Sequence, residues 1–495
     1  MTAKNKTQSM KLSVLLANKV DVPADKDVAI TGVSEYSGDV THGDVFLAMS
    51  SLQYCEDAIA KGALAIIYDD RLELSSSLIE SNVPMIACNQ ISEYVRELSI
   101  LFYGNISEEI KTIAITGTDG KSSVAHLATQ AIENCGDSCG IIGTLGYGRL
   151  SSLKNATHTT PPVSRISKEF ALLEADGCNA VAIEALSHGI QQNRLQHVPI
   201  HTAVLTNITR DHLDYHKTVE DYIQSKAKLF FDHHPKHAVI NIDDEIGQKW
   251  IRKLSGLTNI VSYSLQNREA DIFASKISYK HNGIELSVSV RNIELDVFVP
   301  MLGEFNVLNI LAVSGILVSL GKSNQEILNA LEKMIAVPGR MQLVQNQNEA
   351  KVIIDYAHTP AALLAAIKAV RKHASGKIIC VFGCGGNRDK GKRPLMAEIA
   401  TQHADIVIVT SDNPRNEDPK EIIEDILRGS ANSKNITSLL DRKEAISYAI
   451  DVAEKIDSVL IAGKGHEKYQ EVAGNKIHFD DVEVVENEFA RRANG

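Results

Sequence analysis

The sequence predicts an α/β chain of three domains built on mostly parallel sheets. Short apolar runs rich in Val and Ile alternate with helix-period patterns almost from end to end, the mark of strand–helix–strand units. A length of 495 residues accommodates about three domains at roughly 150 residues each. Two joints interrupt the alternation. Polarity rises over Gly104–Glu109 just before a new apolar run, and the helix pattern Ile327–Ile335 stops at the breaker Pro338-Gly339. The domains are therefore expected at 1–107, 108–337 and 338–495.

Hydrophobic residues make up 44% and charged residues 23%, a balance that lets each domain bury a core. The net charge of −11, with no dense Lys/Arg block, argues against a nucleic-acid partner and is read as plain solubility. No run approaches the ~20 apolar residues of a membrane span. Met1–Lys6 is followed by polar residues rather than a leader's apolar core. Seven cysteines, odd in number and never spaced Cys-x-x-Cys, are expected to be reduced and mostly buried.

The most informative local pattern opens the second domain. Ile110–Thr116 reads as a buried strand and Ser122–Asn134 as a helix with Val124, Leu127, Ala128, Ala131 and Ile132 on one face. Between them lies Gly117-Thr118-Asp119-Gly120-Lys121-Ser122-Ser123. A strand, a glycine turn and a helix N-terminus gather backbone N–H groups and a positive dipole end around one point, which suits phosphate. Gly117 and Gly120 permit close backbone approach, Lys121 adds a point charge, and the Ser122 hydroxyl suits Mg²⁺. Ile115 stands where the usual eight-residue pattern has its first glycine, so the loop is a shorter variant, and an ordinary glycine turn is the competing reading.

Downstream, strand Ala180–Ile183 ends at Glu184, before Ala185-Leu186-Ser187-His188-Gly189. Strand Thr202–Leu205 leads into Thr206–His216, which carries Asn207, Asp211 and His212. Acid and imidazole groups at the C-terminal ends of such strands lie where parallel sheets take ligands. Each histidine alone reads as structural; together with the phosphate loop they point to a metal–triphosphate site.

These stretches resemble the Mur ligases, cytoplasmic amide-forming enzymes of peptidoglycan assembly. The likeness continues through Gly303–Asn309, Pro338-Gly339-Arg340-Met341 and Asp355-Tyr356-Ala357-His358-Thr359-Pro360, over nearly the whole chain. It implies a UDP-substrate domain, a central P-loop ATPase domain and a C-terminal Rossmann-like domain. It implies that ATP converts a substrate carboxylate into an acyl phosphate, which an incoming amine then attacks. ATP and Mg²⁺ are the implied cofactors, with Glu184 and His212 holding a second Mg²⁺ and Lys226, as a carbamate, assisting; read alone, Lys226 is a solvated helix lysine. Asn306, Asn309, Arg340, Asp355 and His358 join Gly117–Ser123 as the implied nucleotide set. Ser37, Thr159, Thr160, Ser187, Gln192 and Arg194 resemble the site for the UDP-MurNAc-dipeptide. A monomer with small-molecule substrates is expected.

The third domain repeats strand, loop, helix. Ile378–Phe382 precedes a loop with Arg388, Asp405–Thr410 precedes Asp412-Asn413-Pro414-Arg415, and Val459–Ala462 precedes Gly463-Lys464-Gly465-His466-Glu467. All three loops are expected on one sheet edge. Asp-Asn-Pro-Arg resembles the amino-acid selector of Mur ligases that add meso-diaminopimelate as third residue. There the arginine grips the distal carboxylate, which lysine lacks. Asp412 and Glu467 are then expected to face ammonium groups and Arg388 a carboxylate, with Asn413 and Gly463 completing the pocket. A turn held by Pro414 accounts for Asn413 but leaves Arg415 unexplained.

The first domain departs from the family pattern. Tyr36-Ser37-Gly38 stands for the usual Asp-Ser-Arg, and Ser50–Cys55 replaces a glycine- and histidine-bearing loop. Leu186, Gln342 and Ala361 differ too. The alternatives left open are a paralogous ligase using L-lysine or another acyl carrier, and a catalytically weak nucleotide-binding relative. Folylpolyglutamate synthetases share the ATP chemistry, but the Asp-Asn-Pro-Arg and Gly-Lys-Gly-His-Glu pair favours the Mur type.

Overall fold

The computed structural model describes residues 9–430 and 433–493; the terminal stretch Met1–Lys6 lies outside them. The chain forms two compact units, Met1–Tyr263 with Ala312–Ser323, and Ser264–Leu311 with Asn324–Gly495.

The first unit holds a two-stranded pair, Met10–Lys11 with Ala29–Ile30, and strands of two larger sheets. Gly32–Ser34, Asp44–Ala48, Ala65–Asp69 and Met85–Cys88 pair in sequence order, all parallel, and the helix Ile91–Tyr103 packs Ile91, Val95, Leu98 and Phe102 against them. The larger sheet places Lys111–Thr116 between Ala180–Glu184 and Thr202–Leu205, again parallel. Register sets Glu184 beside Ile115 and Leu205 beside Thr116, so three strands end on one edge. Each of the three has an apolar centre and is buried throughout apart from Lys111, as a sheet covered on both faces requires. The helix Lys121–Asn134 buries the expected Val124, Leu127, Ala128, Ala131 and Ile132.

The second unit carries an antiparallel meander, Ile272–Lys280, Gly283–Val290 and Ile293–Val299. Its other sheet has five parallel strands in the spatial order Lys351–Asp355, Ser458–Ala462, Ile378–Phe382, Ile406–Val409, Ile436–Ser438, with Gln342–Val344 antiparallel at one edge. The three loops that follow Phe382, Val409 and Ala462 therefore share one sheet edge. A hairpin, Tyr469–Val472 with Asn475–His478, follows the last of them. The helix expected over Ile327–Ile335 instead runs Asn324–Glu332. Ile335 is 64% exposed, so its apolar side chain does not extend the buried face. All seven cysteines are free thiols, six buried and Cys135 half-buried. Among the described residues no helix is long and apolar enough to cross a membrane.

Candidate active site

The loop Gly117–Ser123 is shaped by its neighbours as much as by its glycines. Gly117 sits at φ 148°, and a Cβ there would meet Thr206 Oγ1 at 1.8 Å, so glycine is demanded by the close passage of the chain just beyond the strand Thr202–Leu205. Asn207 finishes the loop: its carbonyl accepts the Thr118 N–H at 2.8 Å and its side-chain oxygen accepts the Asp119 N–H at 3.0 Å. Gly120, at φ 84°, turns the chain into the helix, leaving the first N–H groups of that helix to face a ligand.

Lys121 lies back on the loop, donating to the carbonyls of Gly117 at 3.0 Å and Thr118 at 2.7 Å. Lys226 reaches the same Gly117 carbonyl at 2.7 Å from the helix Val219–Phe231. It is wholly buried, which corrects its reading as a solvated helix lysine. Burial drives its pKa well below the ordinary lysine value, and the Lys121 ammonium pushes the same way. Two ammonium groups on one carbonyl repel each other, and Lys226, in the drier place, is the one whose charged form is the more disfavoured.

Glu184 ends its strand almost wholly buried, with no wasted acceptor. Ser122 Oγ donates to Oε2 at 2.8 Å and the Thr144 N–H to Oε1 at 2.7 Å. A Cβ on Gly143 would sit 2.3 Å from Glu184 Oε1, so that glycine makes room for the carboxylate. His212 adopts the left-handed conformation (φ 52°), and burial lowers its pKa. Its ring lies 4.9 Å from that of His188, which burial, with His212 and His216 alongside, pushes down to about 4 and so keeps neutral.

Next to Glu184 four of the expected peptide-sugar residues, Thr159, Thr160, Gln192 and Arg194, form one network. Thr160 Oγ1 donates to the Glu184 carbonyl at 2.6 Å, while Arg194 Nη1 donates to the Thr160 carbonyl at 2.6 Å and Arg194 Nε to Gln192 Oε1 at 2.9 Å. Thr159 Oγ1 lies 3.0 Å from Thr144 Oγ1, and Ser187 Oγ lies 2.9 Å from His216 Nε2. Ser37 is buried in the first sheet's 3₁₀ turn, where its carbonyl accepts from Lys61. Two residues further on, Asp39 Oδ1 accepts from Thr157 at 2.8 Å.

In the second unit Asn309 donates to Asn306 Oδ1 at 2.9 Å, and Asn306 to the Leu302 carbonyl. Arg340 stacks over Tyr356, its Nε buried without a partner. Burial raises the pKa of Asp355, with Arg340 and the N–H groups of Met341 and Ala357 pulling the other way. His358 is exposed, Nδ1 2.8 Å from the Tyr356 carbonyl.

The three C-terminal loops meet as the strand order requires. Asn413 Nδ2 donates to Glu467 Oε2 at 2.7 Å. A Cβ on Gly463 would approach Asp412 Oδ2 to 2.6 Å. Arg388 is exposed on the neighbouring loop. Two partners were not foreseen. The buried ammonium of Lys464 bonds Glu467 Oε2 at 3.3 Å and Asn413 Oδ1 at 3.1 Å, an internal cation where a substrate cation was expected. Arg415, without a structural partner in the sequence reading, pairs with Glu471 at 3.1 Å. Lys464 lies inside an expected motif and was within reach of the sequence; Thr144 and Glu471 carry no local signal.

A glycine turn opening a helix, a carboxylate bonded to its serine and a buried lysine suit the chemistry of an ATP-dependent ligase. Residues 115–317 match the Mur ligase middle domain and residues 339–465 the Mur ligase, glutamate ligase domain. The chain belongs to the Mur ligase family, enzymes that form amide bonds at the expense of ATP. It is 41% identical over 466 residues to the UDP-N-acetylmuramoyl-L-alanyl-D-glutamate--2,6-diaminopimelate ligase of Coxiella burnetii, covering 92% of this chain and 95% of that protein. The enzyme of the same name from Pseudomonas aeruginosa is 40% identical, with 96% and 98% covered. A solved structure of a ligase so named superposes with a TM-score of 0.66 at 33% identity, covering 98% of this chain and 99% of that one.

Proposed function

We propose that this protein joins meso-diaminopimelate to UDP-MurNAc-L-Ala-D-Glu, with cleavage of ATP to ADP and phosphate. The observation that carries the reading is the buried meeting of Lys121 and Lys226 on the Gly117 carbonyl, beside the Ser122–Glu184 pair. The three proposed domains, 1–107, 108–337 and 338–495, bind the uridine nucleotide, ATP and the amino acid respectively.

In the first step a carboxylate oxygen of the dipeptide attacks the γ-phosphorus and the bond to the β-phosphate oxygen breaks, giving an acyl phosphate and ADP. Thr159, Thr160, Ser187, Gln192 and Arg194 hold the carboxylate-bearing substrate, while Gly117–Ser123 and Lys121 hold the triphosphate. Asn306, Asn309, Arg340, Asp355 and His358 are assigned to the rest of the nucleotide. In the second step the amine of diaminopimelate attacks the acyl carbon and loses a proton, and phosphate departs. Arg388, Asp412, Asn413, Arg415, Gly463 and Glu467 orient that amine.

The donor set suits Mg²⁺: Ser122 Oγ and Glu184 Oε2 are hard oxygens 2.8 Å apart, and this ion takes few protein ligands when phosphates supply the others. Mg²⁺ there would neutralise charge where two anions meet. His212 completes the proposed set. Burial depresses the pKa of Lys226 and so favours the neutral amine that reaction with CO₂ requires; as a carbamate it would present oxygens instead of a repelling ammonium. The protein is further proposed to act as a cytoplasmic monomer.

The test is phosphate release from ATP with the UDP-muramoyl dipeptide, candidate amino acids being supplied singly. Turnover is expected with meso-diaminopimelate. No diaminopimelate-dependent turnover sinks the reading, and turnover with L-lysine in its place overturns the selector argument.

A further inference from the structure

Arg415 is held mainly by one short strand and the turn that follows it. Its backbone is left-handed (φ 52°), and its N–H donates to the Glu471 carbonyl at 2.9 Å. Its own carbonyl accepts from Ala473 at 2.7 Å. Its guanidinium donates from Nε to Glu471 Oε2 at 3.1 Å and from Nη1 to the Gly386 carbonyl at 2.9 Å. Glu471 belongs to the hairpin strand Tyr469–Val472, which lies along the whole selector loop. Gln470 Nε2 donates to the Asp412 carbonyl at 2.6 Å, and the Glu471 N–H to Asn413 Oδ1 at 2.9 Å.

We infer that Glu471 is a positioning residue that sets amino-acid selectivity by fixing the plane of the Arg415 guanidinium. A guanidinium recognises a carboxylate through two parallel donors, so its plane must be set before the ligand arrives. An arginine on a loop has several rotatable bonds and loses binding strength when the ligand has to order it. With Nε on Glu471 and Nη1 on Gly386, two donors define that plane and the rest of the group is left for an incoming carboxylate. The pair is partly open to solvent, with side-chain exposures of 22% and 27%, so a ligand can reach it. The carboxylate of Glu471 also offsets the charge of Arg415. A free inorganic anion then gains little at this site, while a carboxylate delivered in the correct plane by a diamino acid gains the full bidentate contact. The inference rests on the proposed diaminopimelate specificity.

The test is a double-mutant cycle on the full chain, Glu471→Gln, Arg415→Ala and both together, with KM for meso-diaminopimelate, KM for ATP, kcat and the kcat/KM ratio of meso-diaminopimelate to L-lysine as readouts. Glu471→Gln is expected to raise KM for diaminopimelate by about three- to ten-fold and to lower the ratio by a similar factor, as for a partly exposed ion pair. KM for ATP and kcat stay within about two-fold, as an effect confined to amino-acid binding requires. Glu471→Asp restores part of the loss. In the Arg415→Ala background the Glu471 change is expected to do nothing more. An unchanged KM and ratio in Glu471→Gln, or an equal effect without Arg415, overturns the inference. A wild-type protein that does not turn over diaminopimelate overturns the underlying reading as well, so the two failures are told apart.

Discussion

Replacing Lys464 by Met keeps the stem and removes a buried ammonium that ties three segments together. That group is wholly buried and serves Asn413 Oδ1, Glu467 Oε2 and the Tyr469 carbonyl, the last at 2.5 Å. After substitution Asn413 Oδ1 still accepts from the Glu471 N–H and Glu467 Oε2 from Asn413 Nδ2. The loss is thus mainly the positive partner of a carboxylate that is itself only 18% exposed, plus one carbonyl contact. Removing one member of a buried ion pair costs about 3–5 kcal/mol. The partial exposure of Glu467 and its surviving bond put the expected value near the lower end, about 3 kcal/mol. For a unit of roughly 200 residues this corresponds to a fall in Tm of about 6–12 °C. Calorimetry of the full chain should show it in the transition of the unit that holds the C-terminal sheet. KM for the amino acid should rise while KM for ATP does not, because Glu467 and Asn413 lose their common anchor. A Tm shift below about 2 °C with unchanged KM would refute the anchoring role, since exposed substitutions produce changes of that size.

The titration of Glu35 gives a pH signature. Burial raises its pKa from an ordinary 4.5 to about 7, against the pull of the Val163 N–H and Arg194. In the unfolded chain the carboxyl ionises first. Its contribution to stability is therefore complete below about pH 4.5 and lost as pH climbs through about 7, a change of about 3 kcal/mol. Glu35→Gln should flatten that slope in urea titrations between pH 5 and 8; parallel curves for the two proteins would show that Glu35 titrates normally. Lys226→Ala should abolish phosphate release and regain part of it with added short carboxylates such as acetate. Full activity without supplement dismisses the carbamate.

The strands Thr202–Leu205 and Ile378–Phe382 were legible to the residue because a sheet buried on both faces writes itself as an unbroken apolar run. The turn at Gly117–Ser123 was legible because its geometry is local: glycines, helix start and lysine occupy seven consecutive positions. Lys226 was not. Its helix is polar on one side, and nothing in that pattern says that the lysine side chain is sealed beneath the loop of a distant strand. Glu471 escaped for the same reason. Its partner Arg415 lies far along the chain, and an exposed-looking hairpin glutamate is the ordinary expectation. Ile335 misled in the opposite sense: it kept helical spacing with its neighbours, yet it lies beyond the end of the helix and faces solvent.

The carbonyl of Gly117 accepts from both Lys121 and Lys226. Residues that share an acceptor respond to one another: vacating either position frees the oxygen for the other amine and lifts the repulsion between them. Single substitutions at these two lysines will therefore not sum to the double, and rate losses assigned to phosphate handling at Lys121 will contain a share that belongs to Lys226.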